Sequence, residues 1–180
     1  IKNKLTNFGE HQDAMWQISD NGQSPYLWHS LLSTSLNLKL LNPREVIAAT
    51  LQAYQEKHLP LSSVEGFIRQ ILGWREFIRG VYWLDMPGMA EANHYKHQRN
   101  LPSWYWTGDT HMNCMRQTIL DTLQHGYAHH IQRLMVTGMF GILAEINPRE
   151  VAAWYLAAYV DAVEWVELPN VAGMALYANG

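Results

Sequence analysis

The stretch SSVEGFIRQILGWREFIRGVYW, residues 62–83, sets the fold class. Phe67, Ile71, Trp74 and Ile78 fall at i, i+4, i+7 and i+11, which lines four large apolar side chains along one face of an α-helix. Ser62-Ser63-Val64-Glu65 has the form of a helix opening, and the helix is expected to run to about Trp83. Helical signals recur on both sides of it. Pro25, at a first-turn position, opens the segment 25–37. Asn42-Pro43-Arg44-Glu45 supplies N-cap, N1, N2 and N3 of a helix of about 15 residues that ends near His58. The same tetrapeptide returns as Asn147-Pro148-Arg149-Glu150, and Val46 and Val151 extend the match. The flanks do not otherwise agree, so the repeat is shared capping chemistry and not a duplicated domain. Thr110 is expected to cap a helix that Gly126 ends, a further helix covers about 127–143, and the last runs from Pro148 to about Ala162. No convincing strand alternation occurs.

Three segments resist a helical reading. Residues 1–23, with Gly9, Asp20, Asn21 and Gly22, suggest loops and short helices. Residues 84–109, with Pro87, Gly88, Pro102 and Gly108, form a long, polar, aromatic connection of the size that is usually functional or partly helical. The tail 163–180, with Pro169, Gly173 and Gly180, reads as irregular. No linker interrupts residues 1–180, so one all-α domain is the economical expectation.

Composition narrows the function. Apolar residues make up 48% of the 180 and charged residues 16%, which excludes a disordered chain. No run of about 18 apolar residues occurs, so no membrane span is expected. A net charge of −3 gives no general affinity for nucleic acid, so any such surface must be a local basic patch. The single cysteine, Cys114, excludes an internal disulfide and a complete cysteine-based zinc or iron–sulfur site, and makes reducing cytoplasm the expected compartment. Ile1–Glu10 is polar and has no signal-peptide pattern; with no initial Met, the chain is expected to start inside a longer protein.

Four groups of residues invite chemistry. His125, His129 and His130 lie within one or two helical turns of Arg133; they suit acid–base work, surface or capping roles, or, for His125 with His129, an incomplete zinc site. Asp161, Glu164 and Glu167 stand among apolar residues, with Arg133 the obvious partner for one of them. Arg69 and Arg75 flank Trp74 and suit either phosphate contact or a solvated helix face. Trp104, Tyr105, Trp106, Trp154 and Tyr155 are core residues, base-stacking surfaces or single-electron relays.

These groups occur together in one family. Ser24-Pro25-Tyr26-Leu27, Gly73-Trp74-Arg75-Glu76-Phe77, Trp106-Thr107-Gly108, the run from Tyr127-Ala128-His129-His130 through Arg133 to Met135, and Glu164-Trp165-Val166-Glu167-Leu168-Pro169-Asn170-Val171 resemble the helical FAD-binding domain of photolyases and cryptochromes. The resemblance is to the bacterial iron–sulfur branch, which includes the bacterial (6-4) photolyases, and it covers the whole chain. It implies a multi-helical domain binding FAD, with Arg133 and Asp161 beside the isoalloxazine ring and Glu167 facing its N5. His29, Ser30 and Ser33 are implied along the cofactor phosphates, with Gln70 and Arg75 on a flanking helix. His129 and His130 match the active-site pair, and Trp106, Trp154 and Tyr155 the residues of flavin photoreduction. Cys114 matches one of four ligands of a [4Fe–4S] cluster.

The implied reaction is light-driven electron transfer from reduced FAD to a (6-4) photoproduct in UV-damaged DNA, a lesion that must leave the duplex. Lys96, Arg99 and the loop 94–106 are the candidate DNA surface. The alternatives are a blue-light photoreceptor without repair activity, or an inactive structural fragment. No obligate protein partner is implied. The family's N-terminal α/β domain with its antenna pigment and its remaining cluster ligands have no counterpart in this chain, which is therefore expected to be a truncated domain.

Overall fold

The computed structural model describes residues 4–15 and 26–180. Ser24 and Pro25, the expected opening of the segment 25–37, lie outside the described residues. Every regular element among the described residues is helical, and one isolated bridge pairs Arg99 with Ile146. The fold is all-α, as the periodicity requires. The chain forms two compact units, Ile1–Phe77 and Ile78–Gly180.

The first unit contains α1 (Leu5–His11), α2 (Leu32–Asn37), α3 (Pro43–Lys57) and α4 (Leu61–Arg69), the last followed by a π-helical turn, Gln70–Arg75. Leu5, Phe8, Leu36, Val46, Val64, Phe67 and Ile71 are buried together, with Phe8 edge-on to Phe67 at 5.7 Å. Ser63 does not cap α4, whose N-cap is Pro60. Its buried hydroxyl instead donates to Thr6 O at 2.8 Å and accepts from Gly9 N at 3.0 Å, tying α1 to α4. Phe67 and Ile71 of the apolar stripe are buried here, and Trp74 is half-buried. Asn42 caps α3 as the tetrapeptide predicts: its Oδ1 accepts from Arg44 N at 3.0 Å.

The second unit contains α5 (Glu76–Asp85), whose first residues precede the boundary, then α6 (Gly88–Glu91), a 3₁₀ turn at Ser103–Tyr105 and α7 (Asn113–His125). A π-helical turn, Gln132–Gly138, leads into α8 (Met139–Leu143). α9 (Pro148–Ala158), α10 (Glu164–Leu168) and a third π-helical turn, Pro169–Ala175, complete it. The core is aromatic: Trp154, Tyr105 and Tyr155 pack among Ile119, Ile146, Val151 and Val171. Asn147 caps α9 through Arg149 N at 3.0 Å, so both copies of the tetrapeptide do the same work.

Within the segment 25–37 the helix starts only at Leu32, after turns over 26–31. Four further boundaries differ from the sequence reading, each for a local reason. Thr110 lies before the helix start at Asn113, and its hydroxyl accepts from Met112 N at 3.3 Å. The helix expected over 127–143 begins only at His130, because Gly126 takes a left-handed conformation (φ +60°) and residues 127–129 run non-helically after it. α9 stops at Ala158, because Tyr159 turns extended and Val160 N donates to Gly126 O at 2.9 Å. The tail 163–180 is largely helical. Pro169, which has no N–H to give and crowds the carbonyl four residues back, opens a wider π turn instead of ending the helix. There Leu176 N reaches Val171 O, five residues back, at 2.9 Å. The two π turns of this unit meet closely at Gly138, where an added Cβ would stand 2.7 Å from Ala175 Cβ.

The two N-caps yield a first prediction. Asn42→Ala and Asn147→Ala should each lower unfolding free energy by about 1 kcal/mol, while Asn→Asp at either position should cost little. Thermal unfolding of the variants checks this.

Candidate functional site

Arg133 organises the second unit's polar cluster. It stands on the second π turn with its side chain only 14% exposed, and such a guanidinium must be paired. Nη1 donates to Asp161 Oδ1 at 2.9 Å and Nη2 to Asp161 Oδ2 at 3.2 Å, a bidentate fork. Nε donates to Ala128 O at 2.6 Å. The plane lies over the ring of Tyr159 at 3.9 Å and near that of Tyr127 at 5.6 Å.

Glu167 is the second acid of the cluster, 3% exposed, with Oε1 at 3.7 Å from Arg133 Nη1. Burial pushes its carboxyl up to about 7; Arg133 opposes the shift and Asp161 adds to it. One cation thus faces two acids. Asp161 takes the bidentate contact, and Glu167 holds its proton into the neutral range. Glu164, the third acid of the run, lies outside the cluster and accepts from Tyr82 Oη at 2.9 Å.

The π turn that carries Arg133 is held by hydroxyls. Thr137 Oγ1 and Tyr155 Oη both donate to Arg133 O, at 2.9 and 2.6 Å, and those two hydroxyls lie 2.5 Å apart. Tyr105 Oη donates to Thr137 O at 2.9 Å. Burial raises the Tyr155 phenol well above its ordinary value and lifts Tyr159 to about 12, so both rings stay neutral.

His129 is buried and ends the non-helical stretch before that helix; His130 begins the helix and is exposed. The helical spacing read into His125 and His129 therefore does not exist, since the helix ends at Gly126 between them. Among the described residues no group of three His, Cys, Asp or Glu could hold a metal ion.

No family profile matches the chain. The (6-4) photolyase of Agrobacterium fabrum (strain C58) is 53% identical over 180 residues, which is 100% of this chain and 34% of that relative. This chain belongs to the photolyase family. It spans about a third of the length of that relative. An uncharacterized protein of Acanthamoeba polyphaga mimivirus is 30% identical over 113 residues, 62% of this chain and 86% of the relative. The helical fold agrees with the family's all-α domain.

Within this photolyase-family chain the structure gathers some of the expected residues and scatters others. Arg133, Asp161 and Glu167 meet, and Tyr155 joins them through the Arg133 carbonyl. Trp154 packs edge-on to Tyr155 at 5.4 Å and to Tyr105 at 5.1 Å, while its indole N–H donates to Tyr105 O at 3.0 Å. Trp106 is 54% exposed, and among the described residues no ring contact joins it to Trp154. Trp104, stacked on Tyr105 at 4.6 Å, extends the ring series instead. Cys114 is exposed at the start of α7.

In the first unit His29 and Ser30 line a small cavity with Lys4, Phe8, Trp28 and Phe67. Ser33 is half-buried on α2, and Gln70 is exposed where the first π turn begins. Arg75 donates to Asn37 Oδ1 at 2.6 Å and Leu36 O at 3.0 Å, so its guanidinium caps the end of α2. Arg69 pairs with Glu65 on the exposed face of α4. Lys96 is exposed, and Arg99 pairs with Glu145 at 3.3 Å.

Tyr159 and Thr137 belong to the site although no motif contained them, and Tyr127 and Gln132, which stand in the quoted run around the histidine pair, carried no assigned role. Their contacts depend on the break at Gly126 and on the π turn, neither of which a helical periodicity announces.

Two predictions follow from the cluster. Asp161→Ala strands a buried guanidinium and should cost about 3–5 kcal/mol of stability. For Glu167 the folded carboxyl titrates near 7, above the ordinary 4.5, so its protonated form favours folding and that contribution is complete below the ordinary value. Stability should fall as pH rises from about 4.5 to about 7, by at most about 3 kcal/mol. Glu167→Gln should flatten this decline in denaturant unfolding across the same range.

Proposed function

We propose that the chain carries part of the cofactor and lesion site of a flavin-dependent enzyme that repairs (6-4) pyrimidine photoproducts in UV-damaged DNA with light. The observation that supports this best is the buried Arg133–Asp161 fork beside Glu167, in a chain 53% identical to a (6-4) photolyase. The donor set fits the polar edge of an isoalloxazine ring, which offers both N–H donors and carbonyl acceptors. Asp161 keeps lone pairs for a ring N–H while Arg133 balances its charge, and Glu167, titrating near neutrality, can either donate or accept. FAD, when bound and reduced, supplies the electron that light drives to the lesion.

The chain's own residues do the rest in this reading. Arg133 and Asp161 orient the ring edge, and Glu167 holds or releases a proton at its Oε atoms. His129 and His130 supply the acid–base group that meets the lesion. Trp154 and Tyr155, with Trp106 as the resemblance has it, serve photoreduction of the cofactor. In the first unit His29, Ser30, Ser33, Gln70 and Arg75 are the proposed cofactor contacts by the same resemblance. Lys96 offers a cation to the DNA backbone, and Arg99 could join it by releasing Glu145. Cys114, exposed, is the proposed single ligand that this chain contributes to a [4Fe–4S] cluster, with an antenna pigment held elsewhere in the protein.

Light-driven repair of a (6-4) oligonucleotide by the intact protein tests the reading. His129→Ala or His130→Ala should lower the rate by about 10²–10⁴-fold with flavin absorption retained. Undiminished repair in both variants would remove the histidines from the mechanism. A wild-type protein that responds to light but repairs nothing would be a photoreceptor.

A further inference from the structure

We infer that Gln132 is a positioning residue for His129, and that Gln132 and Arg133 together clamp the single peptide group from which the histidine pair departs. The N–H of His129 donates to Gln132 Oε1 at 3.1 Å. The carbonyl of Ala128 accepts from Arg133 Nε at 2.6 Å. These two backbone atoms belong to the same amide plane, so consecutive side chains hold its two edges. A peptide group bonded on both edges cannot rotate without losing two hydrogen bonds, one of them to a charged donor.

The far side of Gln132 faces an acid. Asp121, on α7, lies close enough to the Gln132 side chain for the amide to act on its carboxyl; with Oε1 engaged at His129, the group turned to that carboxylate is the Nε2 amide. Asp121 is half-buried, and burial raises its carboxyl while His125 and the Gln132 contact pull it down. A glutamine suits this place for a chemical reason. It needs an acceptor toward His129 and a donor toward Asp121, and a glutamate would set two carboxylates against each other. On its other end Arg133 grips Asp161, so the amide plane of the histidine pair and the Arg133–Asp161 fork share one guanidinium. The inference rests on the proposed repair reaction for its functional meaning, and on the hydrogen bonds alone for its geometry.

The test uses the intact protein and two readouts, hydrogen exchange of the His129 amide and light-driven repair of a (6-4) oligonucleotide. Gln132→Met keeps the length and removes the acceptor. Exchange should speed up roughly fivefold to tenfold, the worth of about one net hydrogen bond, and repair should fall with flavin content unchanged. Gln132→Glu alone should fall short as well, because it faces Asp121. Gln132→Glu combined with Asp121→Asn restores a matched acceptor and donor, and should recover both readouts; this pair decides the matter even if Gln132→Met fails to fold. Unchanged exchange in the single variants, or a double variant no better than Gln132→Glu, would overturn the clamp. Faster exchange with undiminished repair would overturn the positioning role. Should the wild-type protein repair no lesion, the functional reading falls while amide exchange still decides the clamp.

Discussion

A guanidinium with little access to water has to be balanced, and the second unit is arranged around meeting that demand for Arg133. Asp161 answers the charge, Ala128 O satisfies the inner nitrogen, and Tyr159 covers the face. None of these partners comes from the helix that carries Arg133. They come from the turn before it, from the break after α9, and from the strand-like residue Tyr159 at that break. Moving any one segment leaves a buried charge short of a partner, so a single side chain fixes the relation among three stretches of chain. Glu167 is the by-product: a second acid for which no full countercharge remains, and which therefore exchanges a proton in the range where cells work.

The π turns make this arrangement possible. Widening the helix at Gln132–Gly138 alters which carbonyls meet backbone donors, and hydroxyls from Thr137, Tyr155 and Tyr105 occupy the carbonyls of Arg133 and Thr137. The aromatic core is thus more than apolar filling. Its phenols complete the hydrogen bonding of the site's backbone, and this is why tyrosines, and not phenylalanines, stand at positions 105 and 155. Gly138 lets the neighbouring π turn approach to a distance that any Cβ would forbid.

Much of the fold was legible in the residues. The stripe of Phe67, Ile71, Trp74 and Ile78 announced helix, and the Asn-Pro-Arg-Glu caps located two starts to the residue, because capping is local chemistry. Gly126 as a helix stop was legible for the same reason. The late start of the next helix was not, because residues 127–129 leave helical geometry after Gly126 and no periodic signal marks where it resumes. Nor was the helical tail, since Pro169 and Gly173 normally break helices and here sit in a π turn that accommodates them. For the site, the Arg133–Asp161 pairing could be read from the need of an acid among apolar residues for a cationic partner and from the family resemblance. The roles of Tyr159, Thr137 and Gln132 could not, because each contact joins residues through a break or a widened turn that leaves no periodic trace. Arg75 shows the opposite case, a residue picked out by its motif that the first unit uses to close the end of α2.

The widened turn at Gln132–Gly138 also makes the count of residues a constraint in its own right. Each residue of an α-helix advances the azimuth by about 100°. Removing one residue from that turn would let the ladder relax to ordinary α geometry and would swing α8 and everything after it relative to the histidines, with no side chain in the cluster altered. Sequence comparisons within this segment should therefore tolerate substitutions far more readily than single-residue gaps, and an alignment that places a gap between Gln132 and Gly138 describes a different site.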